Sequence, residues 1–306
     1  MYSPFNYNES VYGGTEYMAR NFLENIYSEL PKLENYLCLI LPGTGLPLSE
    51  IIKDERKVLL WLHNTPTQFN LGVYKFYFSN PKFWERVKYV IVPSETAKHY
   101  VLRDIPQINP NIIKVISNAI YPATVDLSKF DNVDKVKVIH TSSIDRGMPI
   151  LMEALKKIDE DFELEIYNDF NPDLRPDIKY DERVTFFGRT PRKAVQKAFE
   201  SAHIFAYPSI FEETFCLSLA EGMSAGCLPV YSNTGAVEEI SDGRGLIYKT
   251  PESIEEHIDL FAKKLIDGID MIKSGKWNPE EQIKYINEKF SWDAIKKQWL
   301  DLHELL

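Results

Sequence analysis

The chain has 306 residues, enough for two α/β domains of ordinary size, and its 44% hydrophobic and 26% charged content excludes disorder as the default state. A formal net charge of −10 argues against a phosphate-tracking nucleic-acid surface and against membrane attachment through a polybasic face. No stretch approaches the roughly 18 to 20 consecutive apolar residues of a spanning helix, and Met1–Ser10 is polar and aromatic rather than signal-like, so no transmembrane segment and a cytoplasmic location are expected.

Along the chain, apolar runs of strand length alternate with longer amphipathic segments, the pattern of β-α-β units built around parallel sheets. The first Gly-Gly turn arrives at Gly13 without a buried strand before it, so Met1–Tyr7 is either a degenerate edge strand or the first domain is trimmed at its front. A helix is predicted over Glu16–Leu30, followed by strands at Tyr36–Leu41, Val58–Leu62, Tyr89–Val92 and Ile112–Ile116. Among these, the aromatic-rich run Phe69–Phe83 either lines a groove or packs in a core. The polar stretch Tyr121–Lys135 lacks a strong period and reads as a linker, which places a boundary near residue 125. A second set of strands is predicted at Val136–His140, Phe162–Tyr167, Val184–Phe187, Ile204–Tyr207 and Leu228–Tyr231. Helices fill the intervals at Ile150–Lys157, Arg192–Ser201 and Phe215–Ala225, with Gly226 as the cap of the last and further helices from Glu255 onward. The fold class is therefore α/β with two Rossmann-like domains, residues 1–125 and 126–290. In such sheets the loops that follow the strands gather at one edge and form the ligand crevice.

The densest chemistry lies in Tyr207–Val230, which reads as a strand end, a polar loop, a helix and a return strand. The free backbone N–H groups expected at Phe215, Cys216 and Leu217 suit a phosphate. Glu213 stands at the entrance of that helix and Glu221 lies within it, flanked by Leu219, Ala220 and Met223. A buried carboxylate there needs donors, which two sugar hydroxyls would supply. Taken singly, Glu213 also reads as a residue complementing the helix dipole and Glu221 as a solvated charge. Thr141–Pro149 follows a strand and sets Arg146 before Gly147, a cation with a glycine beside it that admits close backbone approach to a diphosphate. His63 ends the strand Val58–Leu62, where it can donate a hydrogen bond or move a proton, or serve as a structural histidine. Cys38, Cys216 and Cys227 are too scattered for a disulfide framework and form no zinc motif, so neither a metal nor a cofactor is expected.

The paired glutamates, the preceding Tyr207-Pro208-Ser209 and the following Gly222, Gly226, Pro229 and Val230 resemble the signature of retaining glycosyltransferases of the GT-B type, the group 1 or family 4-like glycosyltransferases. That resemblance implies two domains facing each other across a cleft, with a C-terminal helix, residues 291–306, crossing back to the first. It implies that Glu213 contacts the donor's sugar ring, that Glu221 binds the ribose hydroxyls, and that Arg146, with Ser142 and Gly147 in the same loop, neutralises the leaving diphosphate. Ser143 and Ile144 stand where the family often carries a second basic residue. Thr214, Phe215, Cys216 and Leu217 fall on its phosphate-binding turn. Gly13 and Gly14 resemble the N-terminal glycine loop over the donor phosphates, His63 the histidine near the sugar, and Gly188 and Arg189 the loop that contacts the nucleobase. Ser94, after Val92-Pro93, resembles the serine that precedes a helix. Tyr167-Asn168-Asp169 replaces a loop that commonly bears glycine.

The activity so implied is transfer of a sugar from a nucleotide diphosphate sugar, as co-substrate, to a glycan, lipid or protein acceptor with retention and without a protein-bound metal. An epimerase or phosphorylase on the same architecture, or a non-catalytic sugar-binding protein, are the alternatives. An epimerase would convert donor with no acceptor present, and a binding protein would hold a sugar without nucleotide.

Overall fold

The computed structural model describes residues 13–41, 53–68, 78–174 and 181–306. The expectations for Met1–Tyr7 and for residues 69–77 of the aromatic run lie outside them. The chain divides into two compact units: Met1–Ala119, Glu213–Phe215 and Phe290–Leu306 form the first, and Ile120–Glu212 with Cys216–Lys289 the second.

In the first unit, helix α1 (Gly14–Asn25) precedes strands β1 (Tyr36–Leu41) and β2 (Lys57–Leu62), a one-turn helix α2 (Pro81–Trp84), strand β3 (Val87–Val92), helix α3 (Glu95–Asp104) and strand β4 (Ile113–Val115). All pairings are parallel and the order is β1-β2-β3-β4. Register aligns Leu39 with Leu60, Leu60 with Val90 and Val90 with Ile113, so one row of aliphatic side chains crosses the sheet into the core. Phe78 and Phe83 are buried in that core, which settles the described end of the aromatic run as packing. Helix α1 stops at Asn25 rather than running to Leu30. The amides of Asn21 and Asn25 donate to Tyr17 O (2.8 Å) and Asn21 O (2.7 Å), local bonds that compete with helix continuation, and two short 3-10 turns follow. The C-terminal helix Trp292–Glu304 is part of this unit: Trp299 packs on Phe22 and Trp61 with ring centroids 4.5 and 5.0 Å away, and His303 Nε2 accepts from Lys32 N at 3.1 Å.

The second unit holds β5 (Val136–His140), α4 (Met148–Leu155), β6 (Phe162–Ile166), β7 (Val184–Phe186), α5 (Arg192–Ser201), β8 (Ile204–Tyr207), α6 (Leu217–Ser224), β9 (Leu228–Ser232), α7 (Val237–Ser241), β10 (Leu246–Tyr248), α8 (Ile254–Lys273) and α9 (Glu280–Phe290). The parallel sheet runs β10-β9-β8-β5-β6-β7. The chain moves outward from β5 through β6 to β7, then returns to place β8 on the other side of β5. That reversal is a topological switch point, the place where the loops after neighbouring strands diverge and leave a crevice. Its core joins β5, β6, β8 and β9 to the apolar faces of α4 and α8, with Phe162, Leu164, Phe261 and Leu265 fully buried.

One predicted boundary shifts and one strand was not predicted, each for an identifiable reason. Helix α6 begins at Leu217 rather than Phe215, because Cys216 adopts a left-handed conformation (φ 77°, ψ 81°) that a helix cannot include. The N–H groups expected from Phe215 and Cys216 are therefore outside the first turn, and the free helical donors begin at Leu217. The edge strand β10 is three residues long, too short to announce itself by periodicity. Within the aperiodic stretch Tyr121–Lys135, Lys129 Nζ donates to the carbonyl oxygens of Phe199 (3.4 Å), Glu200 (3.1 Å), Ala202 (2.8 Å) and Ala225 (2.7 Å), gathering the ends of α5 and α6 onto one ammonium.

Candidate functional site

The switch point of the second unit sets the loops after β5 and β8 side by side, and Gly147 sets how close they come. It takes φ 87° at the N-terminus of α4, and a Cβ on it would fall inside the van der Waals radius of the Pro208 carbonyl group and 3.0 Å from Ser209 N. Both the backbone conformation and the space require glycine. The close approach carries Arg146 to the β8 loop, where its guanidinium stacks over the Phe211 ring with Cζ 3.5 Å from the centroid and pairs with Asp145 at 2.5 Å. A stacked, ion-paired guanidinium is oriented before any ligand arrives. The loop's frame is held from outside: Asn168 Nδ2 donates to Ser142 O (3.2 Å) and Ser232 Oγ to Ser209 O (2.5 Å). Asn168, in the tripeptide that replaces the usual glycine-bearing loop, thus ties the β6 loop to the β5 loop.

Beyond Phe211 the chain leaves the second unit for three residues. Thr214 Oγ1 donates to His63 O (2.5 Å), Ser94 Oγ donates to Thr214 O (2.7 Å), and Phe215 packs edge-on against Phe290 with centroids 5.3 Å apart. Ser94 also caps α3, accepting from Ala97 N at 2.9 Å. At Cys216 the chain re-enters the second unit, and its left-handed turn opens α6.

On the far side of the second unit's crevice, Tyr167 and Phe187 stack with centroids 4.6 Å apart and 4° between planes, and Phe187 is 45% exposed. Gly188 follows at φ 67° with open space where a Cβ would stand, and Arg189 is exposed. Three residues further, Arg192 opens α5 and its Nη2 donates to Glu221 Oε1 on α6. The two helices approach closely because Gly222 meets Phe199: a Cβ there would lie 3.1 Å from Phe199 Cε1.

In the first unit, His63 is buried at the end of β2 with its ring 4.6 Å from Trp61, and its Nε2 has no hydrogen-bond partner among the described residues. Burial lowers its pKa to about 3, so the imidazole is neutral at pH 7. Gly13 caps α1 in extended conformation, Gly14 is the helix's first residue, and Glu16 folds back so that a Cβ on Gly13 would lie 2.6 Å from Glu16 Oε2.

The structure therefore gathers Ser142, Arg146, Gly147, Gly188, Arg189, Cys216, Leu217 and Glu221 in the second unit, and places Gly13, Gly14, His63, Glu213, Thr214 and Phe215 in the first. Sequence reasoning missed Phe211, Asn168 and Arg192. Neither Phe211 with Arg146, 65 residues apart, nor Arg192 with Glu221, 29 apart, leaves a local signal in the sequence.

Residues 135–265 match the family model described as glycosyl transferases group 1. An uncharacterized glycosyltransferase, MJ1607 of Methanocaldococcus jannaschii, is 25% identical over 223 residues, covering 63% of this chain and 54% of that protein. The chain spans about half the length of the curated relatives it matches. Among solved structures, a glycosyltransferase from Rickettsia africae superposes with a TM-score of 0.70 at 17% identity, over 98% of this chain and 83% of that one. Anabaena Alr3699/HepE in complex with UDP-glucose does so with a TM-score of 0.64 at 16% identity, over 82% and 73%. These identities carry the fold, an α/β architecture of two parallel sheets as in GT-B glycosyltransferases, and no more. Across residues 135–265 the chain is therefore similar to the glycosyl transferases of group 1, on a fold of the GT-B kind.

Proposed function

We propose that the chain is a retaining glycosyltransferase that moves a sugar from a nucleotide diphosphate sugar to a hydroxyl of a glycan, lipid or protein acceptor. The observation that carries this reading is the close packing of Gly147 on the Pro208 carbonyl, which sets the Arg146 guanidinium on the loop that leads into α6. A cation and a helix N-terminus supplied by adjacent loops at a switch point suit a diphosphate. Their service to catalysis is electrostatic: negative charge grows on the diphosphate as the bond from the sugar's anomeric carbon to phosphate oxygen breaks, and preorganised donors stabilise it. The acceptor oxygen forms the new bond on the same face, and its proton leaves with the departing diphosphate. The positive charge in this scheme comes from Arg146 and backbone N–H groups rather than from a metal. Glu221 takes the ribose hydroxyls, while Glu213 and His63 are assigned the sugar side on the resemblance alone. Because one structural neighbour holds UDP-glucose, uridine nucleotides are the first donors to try.

A thermal-shift screen against UDP, GDP, ADP and their sugars tests the reading, since a ligand that binds only the folded state raises its stability by mass action. One nucleotide series should raise the melting temperature of the wild type, and Arg146→Ala should abolish most of that shift while melting near the wild type without ligand. No shift with any nucleotide, or an unchanged shift in Arg146→Ala, would refute it.

A further inference from the structure

We infer that Arg192 is a positioning residue that holds the Glu221 carboxylate ready for the donor's ribose and thereby sets the site's preference for ribose over deoxyribose. The inference rests on the reading of the second unit as a donor site. Three observations support it. Arg192 Nη2 occupies Glu221 Oε1, and among the described residues nothing donates to Oε2, which leaves that oxygen's lone pairs to a ligand. The partners stand on α5 and α6, which are locked in register by Gly222 against Phe199, so the carboxylate is held from a fixed direction. Finally, Arg192 follows closely on Phe187-Gly188-Arg189, the loop that the resemblance assigns to the nucleobase, in which the Phe187 ring is exposed and Gly188 is left-handed with open space where a Cβ would stand.

The electrostatic logic is that a diphosphate and a carboxylate in one site repel, which drives the carboxylate to protonate or swing into solvent. A guanidinium on one carboxylate oxygen cancels that repulsion locally. It also fixes the plane in which the other oxygen accepts from a hydroxyl. Both partners are partly exposed, with side-chain accessibilities of 35% and 21%, so the pair contributes little to folding and its loss should be read in binding.

The test is calorimetric titration of wild type, Arg192→Gln, Arg192→Lys and Glu221→Gln with UDP and with 2′-deoxy-UDP, with GDP and ADP and their 2′-deoxy forms as parallel probes. The wild type should bind the ribo form of its nucleotide more tightly than the deoxy form. Arg192→Gln should weaken the ribo form by roughly tenfold, the loss of one charge-assisted hydrogen-bond network, and shrink the ribo-to-deoxy ratio toward one. Arg192→Lys should recover much of that ratio. In the Glu221→Gln background, Arg192→Gln should add almost nothing, because the two act as one unit. An unchanged ribo-to-deoxy ratio in Arg192→Gln, or additive losses in the double variant, overturns the role given to Arg192 while leaving the donor site standing. Failure of the wild type to bind any of these nucleoside diphosphates overturns the donor site itself, and this inference with it.

Discussion

The contact between Gly147 and Pro208 offers a sharp perturbation. In Gly147→Ala the new methyl must live at φ 87°, which costs an L-residue roughly 1–2 kcal/mol. It must also displace the Pro208 carbonyl and Ser209 N, backbone atoms that cannot swing aside as a side-chain tip would, for about 1–3 kcal/mol more. The total is about 2–5 kcal/mol. Gly188→Ala isolates the first contribution, since Gly188 has φ 67° and nothing near its missing Cβ, and should cost only about 1–2 kcal/mol. In urea unfolding the two variants should separate clearly, and in thermal melts by about 2–4 °C for every kcal/mol between them. Because the displaced backbone adjoins Arg146, nucleotide-dependent turnover should fall further than stability does, by up to roughly a hundredfold for a displacement near 1 Å. If Gly147→Ala unfolds no more easily than Gly188→Ala, the argument from close approach is wrong.

Lys129→Met keeps the aliphatic stem but leaves four carbonyl oxygens without their shared donor, and should destabilise the second unit by about 2–4 kcal/mol in urea titration; a loss below about 1 kcal/mol would contradict the pinning role. Trp299→Ala removes the ring between Phe22 and Trp61 and should cost the first unit about 3–5 kcal/mol, with Trp299→Phe recovering part of it, both read from unfolding curves. Burial holds His63 near pKa 3 and His140 near 4, both below the ordinary 6.5, so as pH falls the unfolded chain takes up their protons first. Stability is then full above about pH 6.5 and is lost between there and pH 4, by about 3 kcal/mol for each ring. His140→Asn, whose amide can replace the Nδ1 donor to Ala206 O, should flatten that slope in unfolding measured at pH 7 and pH 4.5, and an equally steep slope would refute the assignment.

Strands β5 and β8 and helix α5 were readable from apolar runs and amphipathic spacing because burial on both faces, or on one stripe, leaves a mark on sequence. The start of α6 was not, because the residue that breaks the helix there is a cysteine. Nothing in a cysteine's chemistry announces a left-handed turn, whereas a glycine at Cys216 would have done so. Lys129 was hidden for the opposite reason: it lies in a stretch without periodicity, which reads as linker, and the groups that hold it are carbonyl oxygens, to which sequence is blind. The loops bearing Arg146 and Glu221 could be named from their residues. Their adjacency follows from strand order, and β8 returns beside β5 only once the sheet is assembled.

That dependence on backbone explains how the second unit's site can be built with few charges. Its loops are positioned by groups every sequence possesses: the Pro208 carbonyl under Gly147, the Ser209 carbonyl under Ser232 Oγ, and the Ser142 carbonyl under Asn168. Side chains at Ser143 and Ile144 are exposed and take no part in holding this frame, so a basic residue can be absent there without loss of architecture. The guanidinium groups assigned to this site are Arg146, stacked on Phe211 and paired with Asp145, Arg192, paired with Glu221, and the exposed Arg189. Arg146 and Arg192 each already have a carboxylate, so on the proposed reading a diphosphate displaces Asp145 or shares Arg146 with it. The N-terminus of α6 carries no such competitor, since its first turn contains no acidic residue and its cap offers no side-chain acceptor. On the proposed reading, the backbone donors beginning at Leu217 attract phosphate with no carboxylate in their own first turn to offset it.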